Sequence, residues 1–411
     1  MHQNPLVGRS ARACAALLGV LSGACARSLP VASPPSAVVQ AALEGPRLRV
    51  SACAAADCAR YELALDDISA RGWRRAVGPH GVVLSNRTWL RLPATAVGET
   101  EIRLALPAGT HAVVPWRDAG EGVWRADASL RGWEGYLMLT SRAPLRVSTA
   151  LAEFDVGALH AGALRPEAWL RAAADAVWPL AGELPLGRVQ VILDGRAVPA
   201  EAPPGFGLSS RGGGRSLLFV VGRDADADAL VGEWIAVHEM VHLVLPVTRD
   251  EDAWLGEGLA TYYQEVLRAR AGMITADAAW ANLRWGFDAG ARAAGGRTLD
   301  EVARGGGAYT RLYWSGAALA LRMDVALRGR GSSLDAVVQG WRRCCADDGQ
   351  TWSAMALLAR ADEALGASVL VPEAHAALAS RTLPDVSDVL AAQGDLRAAI
   401  TAQRRAERPA P

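Results

Sequence analysis

Two short segments, HEMVH at 238–242 and WLGEG at 254–258, decide how the chain folds. The first is surrounded by apolar residues, which predicts a buried helix. Residues four apart on a helix share a face, so the imidazoles of His238 and His242 can bind one Zn²⁺. Glu239 is rotated away from that line. It is therefore the candidate general base, close to the metal without being a ligand.

The second segment supplies the third ligand. A catalytic zinc is held by three protein ligands and keeps one open position. Glu257 is the sole acid in the helical and otherwise apolar run 253–263, and a carboxylate on such a face is costly unless it is paired or bound to a metal. We predict one zinc per chain on His238, His242 and Glu257. The alternative is that the two histidines only pack within a helix and bind no metal, which leaves Glu257 unexplained.

The pattern of the chain changes on either side of these helices. Residues 45–158 contain short apolar runs separated by Gly and Pro, which is typical of a β-sandwich-like domain. Residues 160–345 have apolar positions at helical spacing, with strand-like runs at 189–193 and 216–221. Residues 346–411 are predicted to be helical with a flexible tail. The predicted fold class is α+β, a β-rich N-terminal domain followed by a mostly helical catalytic domain.

The N-terminus is typical of an export signal. Residues 1–26 combine early arginines with a short apolar stretch, too short to span a bilayer as a helix. The small residues at 24–26 fit ordinary signal cleavage, whereas 21–25 resembles a lipoprotein box with its leucine one position too far from Cys25. A buried N-terminal helix is a third possibility. Residues 27–44 are predicted to be a linker, and the protein to be periplasmic, extracellular or lipid-anchored at the cell envelope.

The remaining cysteines divide by context. Cys53 and Cys58 are close in sequence, and we predict a disulfide between them because an exported protein meets an oxidising compartment. Cys344 and Cys345 are adjacent, a poor geometry for bonding each other given the usual Cα separations.

Composition limits the partners. The 411 residues have a formal net charge of zero, which gives no support for electrostatic capture of nucleic acid or of an anionic membrane. The expected partner is a peptide or protein substrate, and the membrane is expected only through a lipid on Cys25.

The two zinc segments together resemble a known family. HExxH followed by W-x-x-E-G resembles the gluzincin zinc peptidases and, among them, the glycyl aminopeptidase family. The resemblance continues through 259–263, 268–274 and 297–299 and returns at 313–316. It implies a thermolysin-like catalytic domain and aminopeptidase-like chemistry over about 160–395. The PDZ domain usual at the family's C-terminus is not expected here.

By that resemblance, Tyr313 is the candidate residue that stabilises the transition state. In related aminopeptidases a Tyr in a Y-x-K-G segment donates a hydrogen bond to the oxyanion, but Ser315 replaces the Lys here. A neutral phenol is in any case a donor whose hydrogen bond strengthens as negative charge develops. Tyr309, on the same helical face, is the rival, and a purely packing role for Tyr313 is a further alternative.

The predicted function is hydrolysis of peptide bonds by a zinc-activated water, with Glu239 as general base. One alternative is a non-catalytic, zinc-stabilised binding protein of the cell surface, although a structural zinc has no use for Glu239. A second alternative is hydrolysis of a non-peptide substrate.

Specificity is where the resemblance and the residues disagree. Glycyl aminopeptidases hold the substrate's free amine with the acid of a G-G-x-E-H segment. The corresponding segment is predicted to be 212–216, with Gly213, Gly214 and Arg215 binding substrate, and Arg215 standing where the acid should be. We therefore predict a poor aminopeptidase that prefers internal bonds, or substrates blocked or acidic on their N-terminal side. Alternatively, another acid such as Glu233 receives the amine.

Overall fold

The computed structural model describes residues 35–65, 75–160, 165–196, 205–225, 230–347, 349–391 and 395–402. The predicted export signal and the last residues of the tail lie outside these ranges. The strands are β1 (Ala37–Glu44), β2 (Arg47–Ala54), β3 (Asp57–Ala64), β4 (Arg75–Gly78), β5 (Gly81–Ser85), β6 (Thr100–Ala105), β7 (His111–Val113), β8 (Arg117–Gly120), β9 (Val123–Ala126), β10 (Tyr136–Thr140), β11 (Leu145–Ser148), β12 (Glu153–Ala158), β13 (Arg188–Arg196), β14 (Phe206–Ser210) and β15 (Arg215–Gly222).

Helices dominate after β15. A short helix, α1 (Asn86–Trp89), and a long one, α2 (Glu167–Ala181), lie among the strands. The others are α3 (Ile235–Val244), α4 (Ala253–Arg270), α5 (Ala276–Arg292), α6 (Leu299–Gly305), α7 (Tyr309–Arg328), α8 (Leu334–Cys344), α9 (Ala354–Leu365), α10 (Leu370–Ala379), α11 (Ser387–Ala391) and α12 (Asp395–Thr401). Within the described residues, no helix combines the length and apolar character that a membrane span requires.

Two sheets make up the N-terminal region. One has six strands in the order β3-β2-β1-β6-β9-β8, and the other has four in the order β4-β5-β10-β7. Side chains from both fill one core, which contains Val39, Leu48 and Ile102 together with Leu84 and Leu139. This sheet region followed by helices confirms the α+β prediction.

The predicted linker was too long at its C-terminal end. Ala37–Glu44 is β1, which pairs antiparallel with β2 and parallel with β6. Its alternating residues Ala37, Val39 and Ala41 are buried. The Pro, Ser and Ala residues around this strand are typical of a linker. Its alternating pattern is short, and its stability depends on pairing with β2 and with the distant β6.

The predicted boundary near residue 158 also differs from the structure. A third sheet has the order β11-β12-β13-β15-β14, so β11 and β12 join the strands that precede the zinc helix. The four-stranded sheet packs against it through Met138, Ile192 and Leu218. Buried Gln190 of β13 donates to the carbonyl of Val113 at 2.5 Å, which satisfies a polar group between the sheets.

Both cysteine pairs are joined. Cys53 and Cys58 face each other across the β2–β3 hairpin, which confirms that prediction. The expectation for Cys344 and Cys345 was wrong, because these neighbours are bonded with a Cα separation of 3.7 Å. The usual range of Cα separations excludes such a pair, but adjacent residues can close a small ring through the peptide that joins them.

Candidate metal centre

Two helices bring the predicted ligands together. His238 and His242 lie on one face of α3, and Glu257 lies on α4. The Nε2 atoms of the two histidines are 3.2 Å apart, and each is 3.3 Å from Oε2 of Glu257. Ligands on a tetrahedral zinc are about 3.3 Å from one another, given bonds of about 2.0–2.1 Å. Oε2 of Glu257 is buried without a well-aligned hydrogen-bond partner, so these residues fit a zinc ion.

Charge and burial set the ionisation of these groups. Burial opposes ionisation of Glu257, but the adjacent His242 and His238 outweigh it and hold the pKa of the carboxyl below its usual value. Glu239 is buried beside the ligands, and its burial raises its pKa. A carboxyl with a raised pKa can both accept and release a proton, as a general base requires.

A buried chain of polar groups orients His238. Its Nδ1 lies 2.8 Å from Oε1 of Gln264, so Nδ1 can donate there while Nε2 stays free for the metal. Gln264 donates in turn to Glu265, and Glu265 also accepts from Arg268 and Asn282. This network was not predicted from the sequence. Its only signal was a cluster of polar residues two helical turns after Glu257.

Tyr313 lies at the centre, as predicted. Its ring stacks on His238 with the centroids 6.1 Å apart, and burial, followed by the charge of Glu257 and a hydrogen bond to it, raises the pKa of its phenol. The rival Tyr309 is 69% exposed at the start of α7. Gly258 and Gly316 allow α4 and α7 to touch, since a Cβ on Gly258 would lie 2.4 Å from the backbone of Gly316.

The strand beside the metal centre is β14, at the edge of the third sheet. A Cβ on Gly207 would lie 2.9 Å from side-chain atoms of Glu239, so only glycine allows the strand to lie so near the base. Ser209, further along β14, forms a hydrogen bond with Glu239. An edge strand leaves backbone donors and acceptors for an extended peptide. The Gly- and Pro-rich sequence around this strand is more typical of a loop.

The predicted substrate-binding residues lie elsewhere, and that prediction was wrong. Gly213 packs near Trp116, Gly214 near the carbonyl of Pro115, and Arg215 pairs with Asp347. The cause is an error of register, because the Gly-rich run forms the turn between β14 and β15. Gly207 and Ser209, which lie beside Glu239, come before that turn on β14.

Arg211 fixes the C-terminal end of α3. Its guanidinium donates to the carbonyls of His242 and Leu245 at 2.7 and 2.5 Å, and to Ala346 at 2.6 Å. Burial, together with the charge of Arg215, lowers its pKa to about 9. A cation on the last carbonyls of a helix complements the helix dipole, so Arg211 is a positioning residue for His242.

Two cavities flank the ligands. The charged cavity, beside His242 and Glu257, is lined by Arg87, Glu134, Ser209, Arg211, Arg249 and Asp250. In it Glu134 pairs with Arg87 at 3.1 Å. The aromatic cavity, beside His238, is lined by Trp234, Thr261, Asn282, Trp285, Tyr313 and Trp314. Glu134 comes from the N-terminal sheet region, and no local motif in the sequence pointed to it.

The fold resembles that of a protein whose structure is known. The sheets and helices around this centre form an aminopeptidase N-like fold. A crystal structure of an aminopeptidase N family protein from Idiomarina loihiensis matches with a TM-score of 0.65 over 86% of this chain and 78% of that chain. The two sequences are 12% identical, so the likeness is one of fold alone. No protein-family model matches the sequence. No curated protein matches it either.

Proposed function

We propose that this protein is a zinc-dependent peptidase of the gluzincin type that hydrolyses peptide bonds. The observation that supports this most directly is the triangle of ligand atoms, separated by 3.2–3.3 Å, with the carboxyl of Glu239 buried beside it. The aminopeptidase N-like fold is in keeping with that chemistry.

Each residue has a separate task in this proposal. His238, His242 and Glu257 would hold Zn²⁺, which when bound polarises the scissile carbonyl and acidifies water. Glu239 accepts the proton of the attacking water and then delivers it to the leaving amine. Tyr313 donates its phenol proton in a hydrogen bond to the oxyanion that develops on the carbonyl oxygen. The edge of β14 aligns the substrate's main chain beside Glu239.

The protein is further proposed to act outside the cytoplasm, on peptides or proteins of the envelope or its surroundings. The disulfide between Cys53 and Cys58 supports this, since such bonds persist in oxidising compartments. Lipid attachment at Cys25 stays a prediction.

A non-catalytic zinc-stabilised binding protein is the competing function. A purely structural zinc has four protein ligands and no open position. Among the residues that the structure describes, His238, His242 and Glu257 form the one group placed to hold an ion, and they are three. Glu239 would then be a buried carboxyl at the metal without a purpose, which favours catalysis.

The test combines metal analysis with peptide hydrolysis. Wild-type protein should contain one zinc and cleave members of a quenched peptide library. His238→Ala should lose the zinc. Glu239→Gln should keep it and lower kcat by about 10²- to 10⁴-fold, the size of a general-base contribution. Glu183→Gln, an exposed acid on a distant turn, is the matched control. Full zinc in His238→Ala, or full activity in Glu239→Gln, would contradict the proposal.

A further inference from the structure

Exposed aromatic side chains are concentrated near the metal centre. Among the described residues, the large aromatic side chains that are more than a third exposed are Phe206, Trp234, Trp285 and Tyr309. Phe206 points to the opposite face of β14 from Gly207, because side chains alternate along a strand. The other three border the site. Solvent-exposed tryptophans grouped around a cleft are unusual and mark a surface that binds something apolar.

Trp234 and Trp285 form the walls of the aromatic cavity. The Trp234 ring meets the ring of the ligand His238 edge-on, with centroids 5.6 Å apart. Trp285 is 66% exposed and stands edge-on to Trp314, with centroids 6.3 Å apart. Trp314 follows directly after Tyr313 on α7. The cavity, of about 490 Å³, therefore opens directly beside the reacting centre.

Polar side chains also line this cavity, but little of their charge is uncompensated. Glu265 already meets Arg268 at 2.6 Å and Asn282 at 2.8 Å, so its charge is compensated. Thr261 also lines the cavity, and its hydroxyl oxygen is buried without a hydrogen-bond partner among the described residues. Glu233 at the rim disfavours acidic ligands.

We propose that the aromatic cavity is the subsite that selects the substrate, and that it takes an aromatic side chain of a residue next to the scissile bond. This rests on the proposed peptidase function. The ring would lie between Trp234 and Trp285. Aromatic pairs gain free energy beyond that of area burial. The preference over alanine is expected to be about 10- to 100-fold in kcat/KM, the range of discrimination in an apolar pocket.

The experiment uses the full-length, zinc-loaded protein and two peptides that differ only in having Tyr or Ala at the selected position. A positional library identifies that position first. Trp285→Ala should lower the ratio of kcat/KM between the Tyr and Ala peptides by at least about fivefold. Trp285→Phe should restore most of the ratio, because it keeps a ring. Leu184→Ala, another exposed apolar residue but remote from the cavity, should leave the ratio unchanged.

Binding gives a second readout that needs no turnover. The Tyr peptide should bind to Glu239→Gln protein with a Kd about tenfold lower than that of the Ala peptide. This difference should disappear when Trp285→Ala is added. Equal affinities, or a kcat/KM ratio that Trp285→Ala does not change, would overturn the subsite even if peptides are cleaved. Failure of the peptidase proposal is distinguishable, because the wild-type protein would then cleave no peptide of the library, or Glu239→Gln would cleave them as fast as wild type.

Discussion

The charged and aromatic cavities lie on opposite sides of the same ligands and differ in how their polar groups are satisfied. In the charged cavity Glu134 is paired with Arg87, and Arg211 is engaged by backbone carbonyls. In the aromatic cavity Trp285 is largely exposed and the hydroxyl of Thr261 has no partner. The polar groups on the charged side are occupied mainly by contacts within the protein. On the aromatic side, the exposed tryptophan leaves surface open, which is why we propose that the substrate binds there.

The largest effect should come from Tyr313, which lines the aromatic cavity and lies beside Glu257. Tyr313→Phe is expected to lower kcat by about 10²- to 10³-fold, the cost of one oxyanion donor. KM should change little, because the hydrogen bond forms only as charge develops. Steady-state kinetics on one cleaved peptide measure both constants.

Tyr309→Phe is the matched control for that measurement. Tyr309 is exposed and its ring lies 6.3 Å from that of Tyr313, so loss of its hydroxyl should leave kcat nearly unchanged. A large loss in Tyr309→Phe with none in Tyr313→Phe would transfer the role of oxyanion donor to Tyr309.

The next-largest effect is expected on stability, and it tests whether Arg211 in the charged cavity stabilises the fold. Arg211→Met removes three hydrogen bonds from a cation to carbonyls, and we expect a loss of about 3 kcal/mol in the free energy of unfolding. Denaturant titration of the zinc-loaded protein measures it. Arg249→Met, at an exposed arginine of the same cavity, should stay within about 0.5 kcal/mol of wild type. Equal stability of the two variants would show that Arg211 does not hold α3.

The smallest effect concerns the substrate's amine. β14 contains no acid, and the carboxylate of Glu134 is already paired with Arg87. We therefore still predict a poor aminopeptidase, although the original reason, Arg215, was wrong. Free-amine and N-acetylated versions of one peptide should differ in kcat/KM by less than about tenfold, or 1.4 kcal/mol.

Glu134→Gln sharpens this last prediction. The substitution should leave the ratio of kcat/KM between the free-amine and N-acetylated peptides unchanged, because the carboxylate of Glu134 is expected to make no contact with the amine. Release of single N-terminal residues from the free peptide, at ten times the rate or more and lost in Glu134→Gln, would show that Glu134 binds the amine.

Local patterns predicted the helices of the metal centre well. The helical run predicted at 253–263 lies within Ala253–Arg270 of α4, because apolar spacing along a helix is a local feature. His238, His242, Glu257 and Tyr313 were found by spacing or by resemblance, and the structure brings them together. Their tasks in catalysis stay proposals.

Pairing between strands, which no single segment shows by itself, explains much of what could not be predicted. Phe206–Ser210 is a strand because it pairs with β15, although its Gly- and Pro-rich surroundings are typical of a loop. Ala37–Glu44 is a strand because it pairs with the neighbouring β2 and with the distant β6. Glu134 reaches the charged cavity from the N-terminal region, which no spacing within the chain could reveal. The hydrogen bond between Gln264 and His238 could not be predicted, because the sequence does not show which ring nitrogen of His238 faces α4.

The contact between Gly258 and Gly316 has a consequence for motion. Side chains change rotamer within picoseconds to nanoseconds, whereas packed helices shift past one another in microseconds to milliseconds. Where α4 and α7 touch at these glycines, no side chain separates their backbones. The backbones that carry Glu257 and Tyr313 therefore change their spacing only with the slow movement of whole helices.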